Sequence, residues 1–319
     1  MLVIAVIAAL LVTACGVTRG EEASGLHRLR MMVPNSPGGG YDLTARTAVK
    51  VMEDDDITGR VEVFNVIGAG GTVAMARLMN EKGNGDLMMM MGLGVVGATY
   101  TNGSKARASD ATALAKMIED PGAIFVPADS PFKTVQDFVA AWKADPSKVT
   151  VGGGSSPGGP DHLFPMETAK AVGVDPKAVN FVSYDGGGDL LTALLGKKIT
   201  VGTSSPGEFI DQIEAGQLRV LAVSSDERIE GIDAPTLKEA GIDLTFANWR
   251  GILAPPGISD EAKQALVKVL EELHGTQQWK EALVKNGWTD AFETGAEFEQ
   301  FLKDQDNRVS STLTDLGLL

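Results

Sequence analysis

RLRMMVPNSPGGGYDLTARTAVKVME (28–53) contains one complete strand–turn–helix unit. A short apolar run, RLRMMVP (28–34), reads as a strand; NSPGGGYD (35–42) is a glycine-rich turn; LTARTAVKVME then carries apolar residues at helical spacing. The same rotation recurs outward from it. VEVFNVI (61–67) leads through GAGGT into VAMARLMNE, and DLMMMMG (86–92) is a uniformly apolar run, the pattern of a strand covered on both faces. The four methionines there read as core filler, not as a metal or ligand patch. Strand, loop and helix in rotation imply an α/β fold with largely parallel sheets.

AIFVPADSPF (123–132) interrupts this texture with two prolines, and Thr134 with Asp137 forms a capping box at the start of a helix. The rotation then resumes. KVTVGGG (148–154) is followed by SSPGGPD and a helix over 162–172; NFVSYDGGGD (180–189) leads into LLTALLG; KITVGTSSPGEF (198–209) leads into IDQIEAG; QLRVLAVSS (217–225) closes the set. FANWRGILAPPG (246–257) is again extended and proline-rich. Ser259 opens a long amphipathic helix, and Thr294 with Glu297 forms a capping box before the last one.

Five loops share one form, with a strand ending, glycines and hydroxyl residues following, and a helix beginning: 34–42, 67–72, 152–161, 184–189 and 202–208. In a parallel sheet such loops gather at the carboxyl edge, where open α/β folds bind ligands. Helix N-termini there offer unsatisfied N–H groups and a positive dipole end, an anion site built from main chain. Four or five charge-assisted bonds at about 1.5–3 kcal/mol each reach, in gross terms, the roughly 8 kcal/mol of micromolar binding.

Composition narrows the choice. The 319 residues carry 28 Lys and Arg against 42 Asp and Glu, a net charge of −14 that opposes a phosphate backbone and excludes nucleic acid as a partner. One cysteine excludes an internal disulfide or cysteine-rich zinc site, and three histidines leave little for a metal centre, so neither metal nor cofactor is expected. GAGGT (68–72) does not match G-x-G-x-x-G, Walker A is absent, and Ser155 and Ser156 lack the G-x-S-x-G elbow. Asp42 reads equally as N-cap of a helix starting at Leu43 and as a ligand contact. His162 reads as a surface residue. Arg250 reads as a solvated arginine, with pairing to a ligand carboxylate as the alternative.

Residues 1–14, MLVIAVIAALLVTA, are uncharged and too short to span a bilayer comfortably, and they fit the apolar region of a secretory signal. Thr13 and Ala14 before Cys15 and Gly16 resemble a bacterial lipobox, although no Lys or Arg precedes the run. A lipidated Cys15 followed by a tether over 15–27 is the reading; a plain signal peptide with an incidental cysteine, or a buried N-terminal strand, is the alternative.

PNSPGGGYD followed by LTAR (34–46) resembles the substrate-binding receptors of tripartite tricarboxylate transporters, the Bug-type receptors. Pro34, Gly38, Gly39 and Asp42 fall into the register of a P-x-x-x-G-G-x-x-D loop, and Asn65 with Gly68, Ala69, Gly70 and Gly71 matches a second signature. The glycine–serine loop at 152–159, Y-x-G-G at Tyr184, I-x-A-G-x-L-R-x-L-A-V-S-S (213–225), PTLKEAG (235–241) and W-x-G-I-x-A-P-P-G (249–257) continue the series, so the resemblance covers 28–319.

It implies a type II periplasmic-binding-protein fold: two α/β domains around a ligand cleft, joined by two crossings near 123–128 and 244–252. Residues 28–124 with 248–319 would form domain one and 125–247 domain two. It further implies ligand contacts from Ser36, Pro37, Gly38, Gly39, Gly40, Tyr41 and Asp42, from Gly68, Ala69, Gly70, Gly71 and Thr72, and from Gly92 and Gly94. Domain two would add Ser155, Ser156, Gly158, Tyr184, Asp185, Thr203 and Ser204. The expected protein is a monomeric, lipid-anchored extracytoplasmic receptor. It would capture a small di- or tricarboxylate-like ligand, deliver it to membrane permease subunits, and perform no chemistry. Ser36-Pro37 and Tyr41 depart from many relatives and bear on pocket size. A receptor serving a sensor kinase is one rival. The other is an extracytoplasmic enzyme, for which His162 with a loop serine is the only pair that can be assembled.

Overall fold

The computed structural model describes residues 28–184 and 186–319; the expected signal segment, Cys15 and its tether, and Asp185 lie outside the described residues. The chain opens with β1 (Arg30–Val33), α1 (Gly40–Asp54), β2 (Glu62–Asn65), α2 (Thr72–Asn80), β3 (Leu87–Gly92), α3 (Leu93–Thr101) and β4 (Thr112–Pro121). After one residue, Gly122, the next series begins: β5 (Ala123–Pro127), α4 (Val135–Ala144), β6 (Thr150–Gly153), α5 (Pro160–Ala171), β7 (Asn180–Ser183), α6 (Gly187–Leu195), β8 (Val201–Ser204), α7 (Ile210–Glu214) and β9 (Leu218–Val223). It returns through β10 (Ala247–Ala254), then α8 (Asp260–Gly275), α9 (Gln277–Asn286), β11 (Thr289–Thr294) and α10 (Gly295–Asp315).

These strands form two sheets, one ordered β11-β4-β10-β3-β1-β2 and the other β7-β6-β8-β5-β9. The expected rotation is parallel where the sequence showed it: β1 pairs parallel with β2 and β3, and β6 with β7 and β8. The sheets are mixed beyond that. β10 runs antiparallel to β3 and β4, β11 to β4, and β5 to β8 and β9, because a chain that enters or leaves a sheet as a crossing strand has no helix to reverse it. The segment 246–257 is therefore ladder-bonded strand for most of its length.

The methionine run of β3 is wholly buried and feeds two cores by strand alternation. Leu87, Met89 and Met91 face one cluster, and Met88 and Met90 face the other. Each such side chain contributes about 1.5–3 kcal/mol by leaving water. Capping follows the sequence at two helices. Thr134 Oγ1 accepts the Asp137 N–H while Asp137 accepts the Thr134 N–H, and Ser259 Oγ accepts the Ala262 N–H. At the last helix it does not: Thr294 is the N-cap of α10 but makes no side-chain cap bond.

The two crossings lie side by side and are tied by one buried hydroxyl. Ser224, just past β9, accepts the Gly122 N–H on its Oγ at 2.7 Å and donates that hydroxyl to the Phe246 carbonyl at 2.5 Å. Its own N–H donates to the Gly122 carbonyl at 2.8 Å. Both connections between the sheets thus share one hydrogen-bonded knot behind the cleft.

Candidate functional site

The cleft between the sheets holds about 220 Å³, below the range of pockets for drug-sized ligands. Its walls come from the loops that precede helices. From the first series come 34–36, 39–41 and 67–71, together with Gly94; from the second come 154–156, 160–161, Tyr184 and 186–187; the crossing strands supply the floor with Asp120, Asn248 and Arg250. Of the expected ligand residues, Ser36, Gly39, Gly40, Tyr41, Gly68, Ala69, Gly70, Gly71, Gly94, Ser155, Ser156 and Tyr184 line it.

Of the others, Asp185 lies outside the described residues and the rest do not line the cleft. Gly38 donates its N–H to Asp42, Thr72 Oγ1 donates to the Ala69 carbonyl, and Gly158 donates to His162 Nδ1. Thr203 Oγ1 donates to the Gly152 and Asp161 carbonyls, Ser204 Oγ donates to Glu208, and Gly92 sits in the β3–β10 ladder opposite Arg250. Pro37 does not face the cleft either.

Asp42 is not the N-cap. Gly39 takes that position and α1 starts at Gly40, which leaves Asp42 in the first turn, 3% exposed. Its carboxylate accepts from Gly38 N–H, Arg46 Nε and Asn65 Nδ2, all at 2.9 Å. Burial pushes its pKa up, but those bonds outweigh it and hold the carboxyl below the usual range. Asn65 Nδ2 also donates to the Asn35 carbonyl, so Asp42 and Asn65 together brace the first loop from beneath.

Two further expectations are corrected. His162 is buried, packs on Phe181 and commits its Nδ1 to Gly158; burial pushes its pKa down to about 4. It does not line the cleft, so the serine–histidine pair considered from sequence does not assemble there. Arg250 is 2% exposed, not solvated. Its Nη2 ion-pairs with Asp120, Nη1 donates to Thr44 Oγ1 at 2.8 Å, and Nη2 lies 3.9 Å from Glu208 Oε1.

Arg250 anchors a charged cluster that sequence reading missed: Asp120 on β4, Asp161 in the first turn of α5, and Glu208 just after β8. Asp161 and Glu208 lie inside SSPGGPD and SSPGEF, loops singled out for their glycines and hydroxyls, so the signal was present in the letters. The Gly40 N–H pulls the Glu208 pKa down, and a Cβ at Gly40 would meet the Arg250 guanidinium and, at 2.7 Å, Glu208 Oε1. Only glycine lets the N-terminus of α1 come so near a side chain from the opposite sheet.

Burial raises all three carboxyls. Glu208 is pushed up to about 7, with Arg250 opposing and Asp120 adding. Asp161 is raised well above the ordinary range by burial and by the Glu208 and Asp120 charges, and Asp120 is raised by burial against the pull of Arg250. Burial likewise pushes Tyr41 up to about 12; its hydroxyl accepts the Val95 N–H at 3.3 Å. Among the described residues no group of three His, Cys, Asp or Glu is arranged to hold a metal ion. No described helix is long and apolar enough to cross a membrane.

A family model described as "Tripartite tricarboxylate transporter family receptor" matches residues 45–318. The chain is 28% identical over 299 residues to the "UPF0065 protein in gbd 5'region" of Cupriavidus necator, covering 91% of this chain and 88% of that one. Its fold is similar to that of a Rhodopseudomonas palustris protein solved with adipate, at a TM-score of 0.81 and 21% identity, covering 91% of this chain and 97% of that one. It is similar also to MatC from the same organism with bound malate, at a TM-score of 0.77 and 21% identity, covering 90% and 99%. At these identities the two structures carry the fold, a periplasmic-binding-protein architecture.

Proposed function

The chain belongs to the tripartite tricarboxylate transporter receptor family, and from that premise we propose that it is an extracytoplasmic receptor. It would enclose a small carboxylate-bearing solute in the cleft between its sheets and pass it to the membrane subunits of a tripartite tricarboxylate-type transporter. The observation that carries the reading is convergence. Loops from both sheets, each leading into a helix, meet at one small cleft floored by the two crossing strands.

Helix N-termini and loop hydroxyls there offer donors to a carboxylate without a large cationic surface. In this reading the loops at Ser36–Gly40 and Gly68–Gly71 take a carboxylate, Ser155, Ser156 and Tyr184 face its far end, and Asp42 acts by bracing. The expected boundaries shift to the strand ends, so that residues 28–121 with 247–319 move as one unit against 123–246 about the Ser224 knot. The fold neighbours solved with malate and adipate support a solute of that size. The receptor acts as a monomer without chemistry of its own and is held at the membrane by a lipid on Cys15. Mass spectrometry of the mature N-terminus tests the anchor.

The solute class is tested by a thermal-shift screen against small carboxylates, sugars and nucleotides. A ligand at a hundred times its Kd adds about 2.7 kcal/mol. Stabilisation by carboxylates is the expected result; a response confined to sugars or nucleotides overturns the proposal.

A further inference from the structure

The charge inside the cleft is inverted from what a plain anion receptor needs. Three carboxyl side chains, Asp120, Asp161 and Glu208, line it against a single guanidinium, Arg250, and no other Lys or Arg among the described residues does so. Arg250 is already committed to Asp120. Asp161 and Glu208 are left facing one cation that a third carboxylate holds. Glu208 also crowds Gly40 at the start of α1, where a Cβ would lie 2.7 Å from its Oε1.

A second, independent observation shows what is missing. Arg250, almost wholly buried, has its Nε without a hydrogen-bond partner, and Asn248 Oδ1, on the same strand and wall, is a buried acceptor without one. One orphan calls for an acceptor and the other for a donor, in a cleft where three carboxyls share one guanidinium. The cluster is not arranged to hold a metal. Resting on the receptor reading above, we infer that the solute carries an ammonium group beside its carboxylate, an amino-carboxylate zwitterion, with the ammonium seated against Asp161 and Glu208.

A solute without a cation would bring further negative charge to a guanidinium already surrounded. An ammonium supplies the absent counter-charge and up to three donors. The pH response follows with a definite sign. The groups around Glu208 are Arg250 on β10, Asp120 on β4, Asp161 on α5 and the Gly40 N–H of α1, with Ser204 donating from β8. Tyr41 stays neutral, its pKa pushed to about 12. An ammonium favours ionised Glu208, whose pKa sits near 7. Amine-bearing solutes therefore weaken as pH falls from 8 to 6, by about tenfold, because about a tenth of a carboxyl is ionised one unit below its pKa. An amine-free dicarboxylate shows the opposite slope, since it favours the protonated carboxyl.

The test uses matched pairs in calorimetric titrations of the whole protein at pH 6, 7 and 8. L-aspartate is set against L-malate, which differs by ammonium for hydroxyl, and 4-aminobutyrate against glutarate, which differs by ammonium for carboxylate. The expected result is tighter binding of the amine member in at least one pair, by about tenfold or more at pH 8. Glu208→Gln should remove most of that preference and flatten the pH slope, and Asp161→Asn should act in the same direction; circular dichroism and Tm confirm that each variant is folded. If malate or glutarate binds more tightly than its amine partner, or if the preference survives Glu208→Gln and Asp161→Asn unchanged, the zwitterion inference fails and the carboxylate-receptor proposal stands. If none of the four carboxylates binds while a sugar or nucleotide does, the receptor proposal fails and takes this inference with it.

Discussion

Replacing Arg250 with methionine removes the guanidinium while keeping an apolar side chain of similar reach. Asp120 then loses its ion-pair partner with its side chain fully enclosed, 0% exposed against 2% for Arg250. Breaking a buried pair from one side costs about 3–5 kcal/mol, because the remaining charge is left without compensation. Thr44 keeps its hydrogen bond to the Gly40 carbonyl, so losing the Arg250 donor adds little at that end. At about 2.1 cal/mol/K per residue over roughly 290 residues, the unfolding entropy is about 0.6 kcal/mol/K, and Tm falls by about 5–8 °C.

Part of the loss is recoverable with acid. Burial already raises the Asp120 pKa with Arg250 beside it, and without the cation it rises further. A folded-state pKa above the unfolded value imposes a penalty that is full above the folded pKa and disappears below the unfolded one. The single variant therefore approaches the parent's stability as pH falls. Adding Asp120→Asn removes the stranded charge and restores most of the lost Tm at neutral pH. Scanning calorimetry of parent, single and double variants at two pH values decides it. A fall of less than about 2 °C in the single variant, or a double variant no more stable than the single, refutes the buried-pair reasoning.

His162 carries a separate pH dependence. Its folded pKa of about 4 lies below the unfolded value of 6.5, so its contribution is complete above 6.5 and lost as pH falls through 4, at most about 3 kcal/mol. Urea unfolding at pH 4.5 and 7 should show this slope, and His162→Gln should flatten it; an unchanged slope excludes His162 as its source. Gly97 on α3 meets the 155–159 loop so closely that a Cβ would overlap the Gly158 carbonyl oxygen, and Thr101 Oγ1 donates to the Pro157 carbonyl at 3.2 Å nearby. Gly97→Ala should hold the two units apart, enlarging the radius of gyration in small-angle X-ray scattering and weakening ligand binding. A scattering curve identical to the parent's refutes that contact as the limit of closure.

The elements legible in sequence were those whose signal is local. The periodicity of 28–53, the uniformly apolar β3 and the Thr134–Asp137 box each report their own surroundings within a few residues. β4 escaped because TALAKMIEDP carries three charges in a strand that is largely buried. Lys116 is accommodated there by its near neighbour Glu119 at 2.8 Å, and by Glu293 from β11 at 3.4 Å and the Phe301 ring at 4.3 Å, two partners that no window on the sequence brings to it. α3, α9 and β11 were missed as well; in β11, a bulged edge strand, hydrophobic alternation does not register.

The site divides along the same line. The order of amino acids is enough to show that this chain builds strand–loop–helix units, that their glycine- and serine-rich loops gather at one edge, and that the family's order of motifs runs through both halves. Those are statements about backbone geometry, which glycine, proline and hydrophobic period dictate locally. What the cleft holds emerges only when the chain is folded. Asp120, Asp161, Glu208 and Arg250 come from four separate elements, and each alone reads as a solvated surface charge. Enclosing them at the junction of the two sheets removed their water, raised their carboxyl pKa values and made each one's charge depend on the others. Such coupling arises from distance and dielectric, and both exist only once the chain has folded.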